Sequence, residues 1–306
     1  MRRFLGILLV WLPACALAQQ PAVLERAPLN VGFTVSSFRG VNPADAKGAF
    51  MVFAQTVGRQ RGYELDTSIS LLDDPAALET AINKKQFHLV VADAWESLGM
   101  NITAEMEPAF VHEVQGVAVR ELLLLTRQGS ELSTLADLRG KEIAVLNGES
   151  NSVASAWIES LLLEQGLGTA DTFFGRVETT AKPSATILPV FFGKKAACVA
   201  DRLSFETMME MNPQVGRQLV TVATSPPFAE SITFLTRHGY SAEQLRRDMF
   251  IALEELHLEP AGRQILTLFK VEKLTPFTEE HLLNLRALRT RLAQLRNEPK
   301  AKASAP

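Results

Sequence analysis

Apolar residues along this chain recur with two spacings, every second residue and every 3.6, and polar capping residues stand at most of the changes between them. Residues 29–35 (LNVGFTV) read as a strand. Asn42-Pro43 supplies an N-cap and a first helical residue, and Ala46, Ala49, Phe50, Phe53 and Val57 then fall on one helical face. Residues 64–71 alternate, with Leu65, Thr67, Ile69 and Leu71 on one side. Asp74-Pro75 repeats the capping device ahead of the stripe Leu78, Ala81 and Ile82, and residues 87–92 (FHLVVA) form a third strand that ends at Asp93. The order β-α-β-α-β predicts parallel strands with right-handed crossovers.

A second series of the same kind follows. Residues 121–127 (ELLLLTR) and 141–146 are strands, and Val153, Ala156, Trp157, Ser160 and Leu161 mark a helix over 151–165. Ser150 or Asn151 is its expected N-cap and Gly166 its stop. A strand is expected near 172–177. A helix over 183–192 closes at Gly193 despite Pro189, and a buried strand over 196–200 ends at Asp201. A short helix with Met208 and Met209 and a strand over 218–223 complete the series. Pro226-Pro227 makes a stiff connector. Beyond it lie a strand over 231–236, a helix over 241–258 with a Ser241–Gln244 capping box, and a last helix capped by Thr278. In that last helix Leu285, Leu288, Leu292 and Leu295 recur at 3-4-3 spacing. Such a short run suits a helix lying against its own lobe better than a coiled coil or docking helix.

With 306 residues, 47% of them hydrophobic, the chain is long enough for two α/β domains, each with its own core. Net charge is −3, or −5 once two leader arginines are lost, with no basic run or basic–aromatic stripe. A nucleic-acid partner is therefore not expected. Arg2-Arg3, the apolar run 4–12 and Ala16-Leu17-Ala18 read as a cleaved signal peptide, residues 1–18. The mature protein is then expected in the periplasm. A lipoprotein reading, acylated at Cys15, is disfavoured by Pro13. Cleavage leaves Cys198 as the single cysteine, in an apolar strand, so stability must come from the core and not from disulfides.

The turn between the central strand and helix, Asn147 to Ser152, is the strongest candidate for chemistry. A polar turn opening a helix at the C-terminal end of a parallel strand is where open α/β sheets bind small ligands, and its unpaired N–H groups favour anions. Plain helix capping accounts for the same residues. G-x-S-x-G, P-loop, G-x-G-x-x-G and H-E-x-x-H motifs are absent, and the five histidines are scattered without metal-ligand spacing. No cofactor is expected, and an enzyme is the weaker reading.

Several segments together resemble one family. They are VGFTVSS, HLVVADAW, LSTLADLRGKEIAVLNGESNS, VATSPPFAESITFLTR and LHLEPAGRQILTLF, which span roughly residues 29–277 behind the exported leader. This set resembles the phosphonate-type (PhnD-like) periplasmic substrate-binding proteins of ABC transporters. The resemblance implies an α/β, two-lobed, type II Venus-flytrap fold. Lobe one would be residues 27–127 plus 228–277 and lobe two 128–227, followed by a C-terminal helix (278–297) and a disordered tail (298–306). It implies a small polar ligand, a phosphonate- or phosphate-like oxyanion or an aminophosphonate, held in the interlobe cleft by a monomer. The lobes would close over it for an ABC permease or, alternatively, a membrane sensor kinase.

Carried over by position, the ligand-binding candidates are Ser36, Ser37, Phe38, Asp93 and Trp95 in lobe one. In lobe two they are Asn147, Ser150, Asn151, Ser152 and Asp201, with Ser225 at the hinge. Asp93, Glu96 and Glu149 depart from the family pattern. Carboxylates facing the cleft would disfavour a dianion and favour a ligand bearing an amine.

Overall fold

The computed structural model describes residues 23–38, 41–102, 104–149, 151–240 and 243–297. The leader with its cleavage site and Cys15, and also Ser150, Ser241 and the tail, lie outside the described residues.

The first unit forms as its pattern predicts. β1 (Glu25–Thr34) enters a 3-10 turn at Val35–Phe38, and α1 (Pro43–Gln60), β2 (Tyr63–Leu72), α2 (Pro75–Asn83) and β3 (Leu89–Asp93) follow. β1 pairs in parallel with both β2 and β3. The side chains of Asn42 and Asp74 accept the N–H groups of Ala44 and Ala76 at 2.9 and 3.0 Å, ahead of a proline in each helix. After the single turn α3 (Ala94–Ser97), three strands change direction: β4 (Met106–Glu113), β5 (Val119–Arg120) and β6 (Leu122–Arg127).

The second unit runs through β7 (Glu142–Leu146), α4 (Val153–Glu164), α5 (Ala170–Phe173), β8 (Arg176–Thr180), α6 (Pro183–Phe191) and β9 (Ala197–Asp201). β7 is parallel to β8 and β9. Then come α7 (Arg202–Met211), α8 (Pro213–Gln218), β10 (Leu219–Thr224), β11 (Phe228–Ala229) and β12 (Ser231–Thr236). The chain finishes through α9 (Glu243–Glu254), α10 (Pro260–Leu268), β13 (Lys273–Pro276) and α11 (Glu280–Asn297).

Two sheets result. The larger has strand order β13-β4-β12-β3-β1-β2 and the smaller β10-β6-β9-β7-β8. A separate ladder, β11 with β5, joins the two crossing segments, with Phe228 opposite Arg120 and Ala229 opposite Val119. One apolar core runs from Val90 and Ala92 of the large sheet through Phe228 and Ala229 to Ile143, Val145 and Trp157 of the small one. The outer face of each sheet has its own core, beneath α1 and α10 in one case and α6 and α7 in the other.

The structure corrects the sequence reading at several places. Residues 122–127 were expected in lobe one, but β6 pairs antiparallel with β9 and β10 in the small sheet. Leu124 enters one core and Leu123 and Leu125 another, as suits an interior strand covered on both faces. The chain has thus already changed sheets by Leu122. The strand expected near 172–177 begins only at Arg176. Before it, Thr169 and Thr172 cap each other to start α5, and Gly175 packs so tightly on the Gly140 carbonyl that a Cβ would lie 2.4 Å from it. The helix expected to reach residue 258 stops at Glu254.

The C-terminal helix does not lie on one lobe. Leu282, Leu285, Leu288 and Leu292 enter the core shared by both sheets, and Leu295 is also buried. α11 packs on α4, α3 and β11. Arg291 and Arg296 pair with Glu164 and Glu159 of α4 at 3.1 and 2.8 Å. Arg289 sits over the Trp95 ring at 5.6 Å, and Asn284 donates to the Pro227 carbonyl at 3.0 Å.

Candidate functional site

The C-terminal ends of the parallel strands of both sheets face one another. The loops after β1, β7, β8 and β9 line a cavity of about 520 Å³ between the sheets. Ser36, Ser37, His112 and Ser231 close one side; Asn147, Ser184, Asp201 and Thr207 close the other. A smaller extension of about 60 Å³ reaches towards Asp93 and Ser152, and shares Arg120, Asn147, Asp201 and Glu230 with the main space.

Local sequence explains most of these positions. Asn147 adopts φ 49°, a left-handed conformation that asparagine tolerates better than most residues, and so turns the chain out of β7. Ser152, not Ser150 or Asn151, is the N-cap of α4, accepting the Ser155 N–H at 3.3 Å. Asp201 caps α7, taking the Ser204 N–H at 2.8 Å and its hydroxyl at 2.6 Å. Asp93 is buried and caps α3, accepting the N–H groups of Trp95 and Glu96 at 2.9 and 3.1 Å. α6 differs. Its N-cap position is Lys182, which makes no side-chain capping bond, so its first turn opens on the cavity at Ser184 with only Pro183 to reduce the count of orphan N–H groups.

The expected residues therefore separate. Ser36, Ser37, Asn147 and Asp201 line the main cavity, and Asp93 and Ser152 line its extension. Phe38 ends the 3-10 turn beside Ser37. Trp95 and Asn151 line a different groove, about 640 Å³, against α11. Glu96 explains the displacement of Asn151. Its carboxylate accepts the Ser36 hydroxyl at 2.6 Å and the Asn151 amide at 3.1 Å, joining a loop of the large sheet to the start of α4 in the small one. Ser225 is buried at the second crossing, where its hydroxyl accepts the Leu122 N–H at 2.8 Å. Glu149 is exposed.

Several cleft residues escaped the sequence reading, among them Ser184, Thr207 and Ser231 and the ionisable His112, Arg120, Glu230 and Lys270. Arg120 and Glu230 form an ion pair at 2.7 Å. They follow directly from the β5–β11 ladder, so placing the first crossing before Leu122 would have found both. His112 is held by Thr233 at 3.0 Å, and burial, with the positive charge of Arg120 acting in the same direction, pushes its pKa down to about 4. It is neutral at pH 7. Cys198 is fully buried in β9, and burial pushes its thiol up to about 12, as expected of an inert core cysteine. Among the described residues no cluster of His, Cys, Asp and Glu could hold a metal, and no helix is long and apolar enough to cross a membrane.

Comparison with known proteins bears directly on this geometry. The family model for the periplasmic phosphonate substrate-binding protein of ABC transporters matches residues 40–282. The chain belongs to that family. It is a substrate-binding protein and not an enzyme, and its family is extracytoplasmic. A comparison with curated proteins found no match.

Among solved structures, a Xanthomonas citri protein bound to ATP is 14% identical, with a TM-score of 0.63 over 88% of this chain and 98% of its own. The binding-protein component of a Pseudomonas aeruginosa ABC phosphonate transporter is 14% identical, with a TM-score of 0.59 over 89% and 88%. PhnD1 of Prochlorococcus marinus, in complex with methylphosphonate, is 15% identical, with a TM-score of 0.58 over 87% and 98%. At these identities the likeness concerns the fold, which is that of the type II periplasmic binding proteins.

Proposed function

We propose that the cavity between the two sheets is the substrate site, and that the large and small sheets with their helices are two lobes that close over it. The ligand is a small phosphonate- or phosphate-like oxyanion or an aminophosphonate. The observation that carries this reading is the convergence of strand-end loops from both sheets, with their polar side chains, on one cavity, into which α6 opens without a side-chain cap. Ser184 offers a hydroxyl donor and Asn147 an amide, while Ser36 and Ser37, whose hydroxyls already donate to Glu96 and to the Val91 carbonyl, offer oxygen lone pairs. Asp201 brings negative charge to the same space and favours an amine on the ligand, which supports the aminophosphonate within this class, whereas the charge of Glu230 is paired with Arg120.

In this reading the protein is a monomer that hands its ligand to an ABC permease by presenting the closed form. A membrane sensor would read the same closure. The lobes would rotate about the β5–β11 ladder and the Pro226-Pro227 connector, with the first crossing at residues 119–121.

Calorimetric titration of the exported protein with methylphosphonate, phosphite, phosphate and 2-aminoethylphosphonate tests the ligand class. One of the four should bind, and Asn147→Gly, which keeps the left-handed turn and deletes the amide, should weaken that ligand. Failure of all four to bind would refute the ligand class. Unchanged affinity in Asn147→Gly would argue against this cavity.

A further inference from the structure

The crossing segments carry an ion pair that neither capping nor packing requires. Arg120 is the last residue of β5 and Glu230 the first after β11, so the ladder between the sheets brings together two residues far apart in the chain. The guanidinium lies 2.7 Å from the Glu230 carboxylate. Both side chains line the main cavity and its extension. The Arg120 side chain is only 19% exposed, whereas that of Glu230 is 44% exposed.

The other charged groups around this space are differently placed. Asp201 and Asp93 are committed to capping α7 and α3. His112 is neutral, and Lys270 is an exposed residue of the rim. Among the described residues Arg120 is thus the cation set into the floor of the cleft, and a carboxylate of the protein itself already holds it.

We propose that Arg120 is the residue that selects the anionic group of the substrate, and that Glu230 is its internal competitor. This inference rests on the reading of the cavity as the substrate site. An incoming oxyanion takes the guanidinium, whose planar fork suits two oxygens of one phosphonyl group. Glu230 turns towards the solvent it already meets. A ligand must therefore displace a carboxylate, which weakens every anionic ligand alike, while the guanidinium charge itself favours the doubly charged phosphonate over monoanions such as alkylsulfonates. Because Arg120 lies on the crossing strand, the same exchange couples ligand charge to the segment about which the lobes would move.

The test is calorimetry with the best-binding phosphonate of the panel above and with methanesulfonate, on wild type, Glu230→Gln, Arg120→Gln, Arg120→Lys and Asn147→Gly. Urea unfolding verifies that each variant is folded. Arg120→Gln should weaken the phosphonate roughly ten- to a hundredfold, the usual worth of a charged hydrogen bond. Arg120→Lys should recover only part of that loss, since an ammonium lacks the fork. Glu230→Gln should tighten the phosphonate and methanesulfonate by a similar factor, about three- to tenfold, whereas Arg120→Gln should narrow the preference between them. Wild-type affinity in Arg120→Gln, alongside lost affinity in Asn147→Gly, would overturn the role of Arg120 and leave the cavity as the site. Wild-type affinity in both variants would overturn the cavity reading and this inference with it, and no binding by wild type would overturn the ligand class on which this inference depends.

Discussion

Replacing His112 by glutamine should flatten the acid side of the stability profile. The imidazole lies half-buried on the cleft face of the sheet, bonded to Thr233, and its pKa lies at about 4 against an ordinary value of 6.5. Burial is the larger cause and the Arg120 charge the smaller. Both disfavour the proton in the folded state, so on acidification the unfolded chain binds it first. Stability from this group is therefore complete well above pH 6.5, falls as the pH drops below that value, and levels off below about 4. Between pH 7 and pH 5 the accumulated loss is about 2 kcal/mol. Urea unfolding at the two pH values measures it. Wild type should lose about 2 kcal/mol more than His112→Gln. His88, held below the ordinary range chiefly by burial, titrates in both proteins and cancels in the comparison. Identical pH dependence in the two proteins would mean that His112 is protonated or solvated in the folded state, and the account of the cleft's charge would fail with it.

Three further outcomes are expected. Leu285→Ala removes a fully buried side chain from the seam between α11 and the shared core, and should cost about 3 kcal/mol in a denaturant melt; a cost near zero would mean that α11 is not docked there. Glu96→Ala removes the carboxylate that joins Ser36 to Asn151, and should raise the ligand-free radius of gyration in small-angle scattering; an unchanged curve would show that this bridge does not hold the sheets together. Cys198 should resist iodoacetamide in the native protein and react once it is unfolded in urea, because its thiol is buried and its pKa raised to about 12; rapid native labelling would contradict the packing of β9.

The sequence by itself determined the alternation of strands and helices, and with it the two parallel units. Apolar period and capping act between residues a few positions apart, so Asn42-Pro43 and Asp74-Pro75 mark their helices whatever the rest of the chain does. Asn147 stood out locally, in the polar turn that ends a parallel strand, whereas Ser36, Ser37 and Asp201 were named through the family resemblance, and all four line the cavity. β4 was hidden because Pro108 interrupts its pattern, and the tertiary structure accommodates that proline at a register shift against β12. Only the tertiary structure decided the sheet to which β6 belongs, because an apolar run reads the same in either. The leucine stripe of α11 likewise announced a buried face without saying that α4 and the crossing ladder cover it. The pairing of Arg120 with Glu230, the bridge at Glu96 and the withdrawal of Trp95 into the α11 groove join residues from distant parts of the chain. Such contacts depend on which segments meet when the two sheets assemble, and no local period carries that information.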